Sequence, residues 1–234
     1  MADQKTNINT FVCFPNSNFE EGRKCLWRWK SLGYDTLVLF DSKSLKDDDP
    51  QDLIDEGVLN EFVIVDEYKG WYVSCNWLNQ IAIDKQADWI INIGADMDPD
   101  PSKSAESIAK ECRTHFNGTY GVMQPTADDF DTRNGLRAAE RICGSPWLGR
   151  QFIQSCRDCK AWDETPFHFF GDERLRDELI KDDLLWQRSD LCHLHRHPSR
   201  EKRAYAPGHT TSWNDDKNWF NSTIENWQAP WRIS

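Results

Sequence analysis

The chain has 234 residues, enough for one or two domains with a sizeable core. Its formal net charge is −11, and the imbalance lies in the front: residues 1–130 carry 12 basic against 23 acidic side chains, residues 131–234 carry 16 of each. That distribution excludes a chain-wide nucleic-acid surface while leaving room for a local one.

No apolar run approaches the ~20 residues that cross a bilayer, and the first residues lack a signal-peptide core, so the expectation is a soluble, cytoplasmic protein. The cysteines number eight, and Cys13, Cys25, Cys75 and Cys112 fall at apolar positions, as reduced core residues do.

Residues 1–9 are polar and read as a loose tail. Thr10–Phe14 reads as a strand that Pro15-Asn16-Ser17-Asn18 breaks. Asn18 and Glu21 have capping-box spacing for a helix with Cys25, Leu26, Trp29 and Leu32 on its apolar stripe, ended by Gly33. Thr36–Phe40 is the second strand, closing on Asp41. The polar stretch 42–50 reads as a surface loop. A short helix around 52–59 leads to the strand Phe62–Val65, ending at Asp66, and Val73, Trp77 and Ile81 mark the next helix.

Trp89–Ile93 is a nearly continuous apolar run, as a strand buried on both faces reads. After Gly94-Ala95, carboxylates arrive at alternate positions: Asp96, Asp98 and Asp100. Pro99 and Pro101 oppose a regular element there, so the acids are expected in a loop at the carboxyl end of a buried strand. In an open α/β sheet that end binds ligands. Clustered carboxylates repel one another unless a cation joins them, which points to an oxygen-seeking divalent metal, against a merely solvated acidic turn. A helix with Ser102 as its cap then leads to the strand Tyr120–Gln124.

Short apolar strands alternating with amphipathic helices mean an α/β fold with a mostly parallel sheet and right-handed crossovers. No GxGxxG and no Walker sequence is present, so a dinucleotide or P-loop enzyme is disfavoured.

Beyond Pro125, Asp128, Asp129 and Asp131 mark a loop. The stretch 141–150 reads as strand, turn, helix. Gly171-Asp172-Glu173 opens a helix with Leu175, Leu179 and Ile180 on its buried side; Asp172 there reads equally as an N-cap. Leu191 to His197 alternates, placing His193, His195 and His197 on one face, suited to a metal or to an exposed edge strand. Cys156-x-x-Cys159 reads as two cysteines on a helix before it reads as half of a zinc site or a redox pair. From Pro198 on periodicity fades, and Trp213, Trp219, Trp227 and Trp231 suggest an irregular tail packed over the domain by its aromatics.

The ordered set of strand–Pro-Asn, strand–Asp41, strand–Asp66 and strand–Asp96-Met97-Asp98 resembles GT-A glycosyltransferases. Leu184 to Leu191 followed by His193-x-His195 resembles small members encoded by bacteriophages. The resemblance implies a single GT-A-like domain over residues 10–200, with a nucleotide-sugar half (10–125) and an acceptor half (126–200), and a tail (201–234) packed on it. It implies a nucleotide-sugar donor, UDP-type foremost, contacted by Pro15, Asn16, Asp41, Asp66 and Asp96. Mn²⁺ or Mg²⁺ is implied on Asp96 and Asp98, with Asp98 the firmer ligand. The alternating run adds His195, with His193 as the fallback, as a further ligand, and His209 in the following loop is the next candidate. Trp147 to Arg150 resembles the acceptor-side turn. Gly171-Asp172-Glu173 resembles the helix start that carries the catalytic acid of inverting members, although many of those have Gly-Glu-Asp, which leaves open whether Asp172 or Glu173 is the base.

The phage resemblance further implies a hydroxymethylated base in DNA as acceptor, with a glycan or small molecule as the alternative. Arg188, Arg196, Arg200, Lys202 and Arg203, extended by Arg133, Arg137, Arg141 and Arg150, would then grip phosphates, or else pair with neighbouring acids. Trp147 or Trp162 would stack on an extruded base. Two other classes remain: a metal-dependent phosphohydrolase, and a non-catalytic carbohydrate- or nucleic-acid-binding module using its tryptophans.

Overall fold

The computed structural model describes residues 8–127, 144–196 and 212–232. The strands are β1 (Thr10–Asn16), β2 (Asp35–Asp41), β3 (Glu61–Val65), β4 (Trp89–Asn92), β5 (Met97–Asp98), β6 (Val122–Ala127), β7 (Trp147–Gly149) and β8 (Leu185–His195). They form one sheet in the order β3-β2-β1-β4-β7-β6-β8-β5. β1, β2, β3 and β4 are parallel, as are β6 and β8, whereas β7 is antiparallel to both neighbours and β5 to β8.

The helices are α1 (Phe19–Ser31), α2 (Ser42–Leu45), α3 (Pro50–Asp55), α4 (Trp71–Asp84), α5 (Ala105–His115), α6 (Arg150–Ser155), α7 (Gly171–Lys181) and α8 (Trp213–Ser222). Successive strand side chains point to opposite faces, so the apolar runs feed two cores. Val12, Phe14, Trp89 and Ile91 pack with Cys25, Leu26 and Trp29 of α1 and Ile108, Ala109 and Cys112 of α5. Phe11, Cys13, Leu37 and Ile90 pack with Cys75 and Leu78 of α4, Phe152 and Ile153 of α6, and Leu175 and Leu179 of α7. Two buried faces explain why these strands read as continuous hydrophobic runs.

From β1 the chain steps outward to β2 and β3, then returns through α4 to the other side of β1. The strand order therefore reverses between β1 and β4, which opens a crevice at their carboxyl ends. Among the described residues no helix is long and apolar enough to cross a membrane.

Several local expectations are corrected. β1 continues through Pro15 and Asn16, because β4 pairs with it only as far as Cys13 and the proline breaks no ladder on that side. Stretch 42–50 is not all loop: Asp41 caps α2 by accepting the Lys43 N–H at 2.9 Å. Ser104, not Ser102, caps α5; Ser102 is engaged by Asp100. Met97–Asp98 is a short strand, held by the end of β8 rather than by its own propensity. Within 144–150 the order is turn, strand, helix, since Trp147–Gly149 inserts between β4 and β6; residues 141–143 lie outside the described residues.

Ile180 is 47% exposed and not on the buried side of α7. Cys156 and Cys159 are at the end of α6 and in the tight turn after it. The tail is not irregular throughout, because Trp213–Ser222 is helical. Asp216 of α8 accepts the backbone N–H groups of Phe167, His168 and Phe169 at 2.8, 2.9 and 2.9 Å. Its aromatics do pack on the domain: Trp213 lies against Phe169 and Phe170, and Trp231 against Phe152.

Candidate active site

The crevice at the carboxyl ends of β1 and β4 gathers the acid loop. Met97 N–H closes a turn on the Gly94 carbonyl at 3.1 Å. Asp96 folds back over Gly94, where an added Cβ would stand 2.6 Å from its Oδ1. Pairing of Met97 with His195 across β5 and β8 then brings His195 Nε2 to 3.5 Å from Asp96 Oδ2. Two side chains from distant stretches of the sequence are thereby brought side by side.

The other two acids do different work. Asp98 is buried; its Oδ1 accepts from Arg28 Nε at 2.6 Å and its Oδ2 lies 3.3 Å from Arg196 Nε. Asp100 accepts the N–H groups of Ser102 at 2.8 Å and Cys192 at 2.6 Å, tying the loop to β8. Burial pushes its carboxyl up, but the hydrogen bonds from Ser102 and Cys192 outweigh this and hold it below the ordinary value.

His193 is a core residue. Its Nδ1 shares a 2.9 Å hydrogen bond with Ser145 Oγ, its ring meets Trp29 edge-on, and burial lowers its pKa to about 3. His209 lies outside the described residues. An oxygen and an imidazole nitrogen 3.5 Å apart, in the crevice, fit a divalent cation that completes its shell with phosphate oxygens. Asp98, held by two guanidiniums, does not fit as a ligand in this arrangement. Among the described residues no group of three or more His, Cys, Asp or Glu side chains is placed to hold a metal ion by itself.

A second group of acids stands at the start of α7. Because α7 runs into β8, which is parallel to β6, this helix start lies on the same edge of the sheet as the acid loop. Phe170 takes a left-handed conformation (φ 67°), and the Trp71 N–H bonds the Phe167 carbonyl at 2.8 Å, holding the segment against α4. The Tyr72 phenol oxygen accepts the backbone N–H groups of Gly171 and Asp172 at this helix start. Burial raises Asp172 to about 6, against hydrogen bonds from the N–H groups of Glu173 and Asp172 and from Tyr72. Burial and repulsion from Asp172 raise Glu173 to about 7. Carboxylates in this range suit proton abstraction near neutrality.

The donor-side candidates share this edge. Asn16, at the end of β1, is buried with Oδ1 on the Asn18 N–H at 3.1 Å, and Pro15 precedes it. Gly22 makes room: a Cβ there would lie 1.9 Å from Asn16 Nδ2. Asp41 is the cap of α2 and Asp66 is exposed after β3.

The acceptor-side candidates fare worse. Trp147 is fully buried against Tyr34, and Trp162 is buried with its Nε1 on Asn92 at 2.7 Å; both are core and neither stacks on an external base. Arg150 pairs at 3.0 Å with Asp88, which precedes β4, so it sits on the opposite edge of the sheet from the acids. Arg196, just after β8, pairs with Glu21 and with Asp98 of the acid loop, and Arg188 pairs with Glu111 and Asp190. The loop acids Asp128, Asp129 and Asp131, the arginines Arg133, Arg137, Arg141 and Arg200, with Lys202, Arg203 and His197, lie outside the described residues. Arg28, Tyr72 and Asp216 were missed. Each sits on a helix with no local sign of its partner.

No family model and no curated protein matches this sequence. Solved structures do match. Segment 1–349 of S. aureus TarS with UDP-GlcNAc aligns with TM-score 0.58 and 10% identity over 96% of this chain and 68% of that one. The same segment with UDP gives 0.56 and 10% over 80% and 60%. The longer TarS structure gives 0.59 and 10% over 96% and 41%. At this identity the likeness establishes the fold, which is GT-A-like α/β. The chain spans 60% of the length of the UDP-bound segment.

Proposed function

We propose that the chain transfers a sugar from a nucleotide-sugar donor, UDP-type foremost, to an acceptor hydroxyl. The observation that carries this reading is the convergence of Asp96 and His195 on the edge of the sheet that also bears Asp172 and Glu173. TarS has been solved with UDP and with UDP-GlcNAc, which supports the same class of donor here.

Asp96 and His195 would hold Mn²⁺ or Mg²⁺, and the ion, when bound, neutralises the diphosphate as it leaves. The local charge favours this. Glu21, Asp96 and Asp98 outnumber Arg28 and Arg196, so a diphosphate meets a net negative cluster that one divalent cation reverses. Asn16, Asp41 and Asp66, at the ends of β1, β2 and β3, would bind base and ribose. Asp172 or Glu173 would take the acceptor's proton as its oxygen attacks the anomeric carbon. The course is a single, inverting displacement, as the resemblance of Gly171-Asp172-Glu173 implies, with one of these two carboxylates as base.

For the acceptor, a neutral glycan or small molecule is favoured over DNA by one observation: Arg150, Arg188 and Arg196 are all paired with carboxylates. A DNA acceptor rests on Arg133, Arg137, Arg141, Arg200, Lys202 and Arg203. The test is transfer from a donor panel to glycans, to hydroxymethylated DNA and to unmodified DNA, over a salt series with Mn²⁺. Incorporation that requires donor and metal supports the reading. Phosphate release without any acceptor would replace it with a phosphohydrolase.

A further inference from the structure

We infer that Asp98 is not a ligand of the cation but a charge lock that fixes the strand end carrying His195; the inference rests on the reading of Asp96 and His195 as the ligands. Between the two acids, the Met97 carbonyl is gripped by α1, accepting from Trp29 Nε1 at 2.8 Å and Cys25 Sγ at 3.4 Å. The backbone is thus drawn against the helix, and Asp98, 7% exposed, meets Arg28 of α1 on one oxygen and Arg196 on the other.

Arg196 directly follows His195. Its backbone N–H bonds the Asp96 carbonyl at 2.8 Å, and its guanidinium reaches the Ala95 carbonyl at 3.2 Å and Glu21 at 3.1 Å. Glu21 and Arg28 are seven residues apart, on one face of α1. Asp98 therefore closes a ring of charges joining α1, the acid loop and the end of β8, and the register of that ring sets the Asp96–His195 approach. A carboxylate between two guanidiniums offers a divalent cation a positive surround. Turning it outward would break both pairs and leave Arg28, whose buried Nη2 already lacks an acceptor, without its main counter-charge.

The experiment has a metal-free arm and a metal arm. In EDTA, thermal unfolding is compared for the parent chain, D96N, D98N, R28M and D98N/R28M. A lock predicts a lower midpoint for D98N, none or a rise for D96N, and a double variant less damaged than the two single losses added together. A D98N midpoint at or above the parent's overturns the lock. In the second arm Mn²⁺ is titrated calorimetrically with UDP present. D96N and H195Q should weaken binding by about tenfold or more, D98N less, and R28M should not strengthen it. Tighter Mn²⁺ binding by R28M together with none by D98N would make Asp98 a ligand after all. A parent chain that binds no Mn²⁺ would remove the cation reading itself, leaving the metal-free arm to decide the lock.

Discussion

The phenol oxygen of Tyr72 accepts the backbone N–H of Gly171 at 2.8 Å and of Asp172 at 3.3 Å. The first turn of α7 has no side-chain cap of its own, so a tyrosine from α4 takes that place. Gly171 is required for the approach, since a Cβ would lie 2.4 Å from the Tyr72 ring. Tyr72→Phe should therefore lower kcat several-fold with little change in donor KM. Losing a hydrogen bond that favours ionised Asp172 should also move the acid limb of the pH profile upward. An unchanged limb would leave Tyr72 a packing residue.

Activity itself should climb through the range set by Asp172, about 6, and Glu173, about 7, because the base must be ionised. The two are adjacent, so the apparent values belong to the pair. The stability effect has the opposite sign. Both groups bind protons more tightly folded than unfolded, so their contribution is present below the ordinary carboxylate range and lost as pH rises through 6 to 7. Asp172→Asn and Glu173→Gln should raise the melting point at pH 8 by a few degrees and not at about pH 4. The variant of the true base should also abolish transfer while sparing donor binding.

Removing metal with EDTA should stop transfer, and added Mn²⁺ should restore it. His195→Gln should need roughly tenfold more Mn²⁺ for half-maximal rate. His193→Gln should instead lower stability, since it breaks the bond to Ser145 inside the core, with the Mn²⁺ requirement unmoved in the folded fraction. A shared change in Mn²⁺ requirement would return both histidines to one role.

Asp216→Ala should destabilise by about 2–3 kcal/mol, because three part-buried backbone N–H groups lose a charged acceptor at once. Since those groups belong to the segment that delivers Phe170 and Asp172, kcat should fall further than donor affinity. Urea unfolding and steady-state kinetics check both parts.

What the sequence determined by itself was whatever near neighbours decide. The alternation of short apolar strands with helices, the Asn18 cap, the turn at Gly33 with its φ of +88°, and an acid loop directly after β4 all follow from periodicity and local backbone chemistry. The meeting of Asp96 with His195 needed more, because the pairing of β5 with the end of β8 brings the two together. The protonation and partners of those side chains were decided elsewhere. Asp98 reads as a metal acid until Arg28, 70 residues earlier, and Arg196 close on it. Trp147 reads as an acceptor platform until β4 and β6 bury it, and Arg150 as a phosphate grip until Asp88 claims it on the far edge. Burial, ion pairing and pKa depend on charges and surfaces brought within a few ångströms by the folded chain, and short sequence windows carry no record of them.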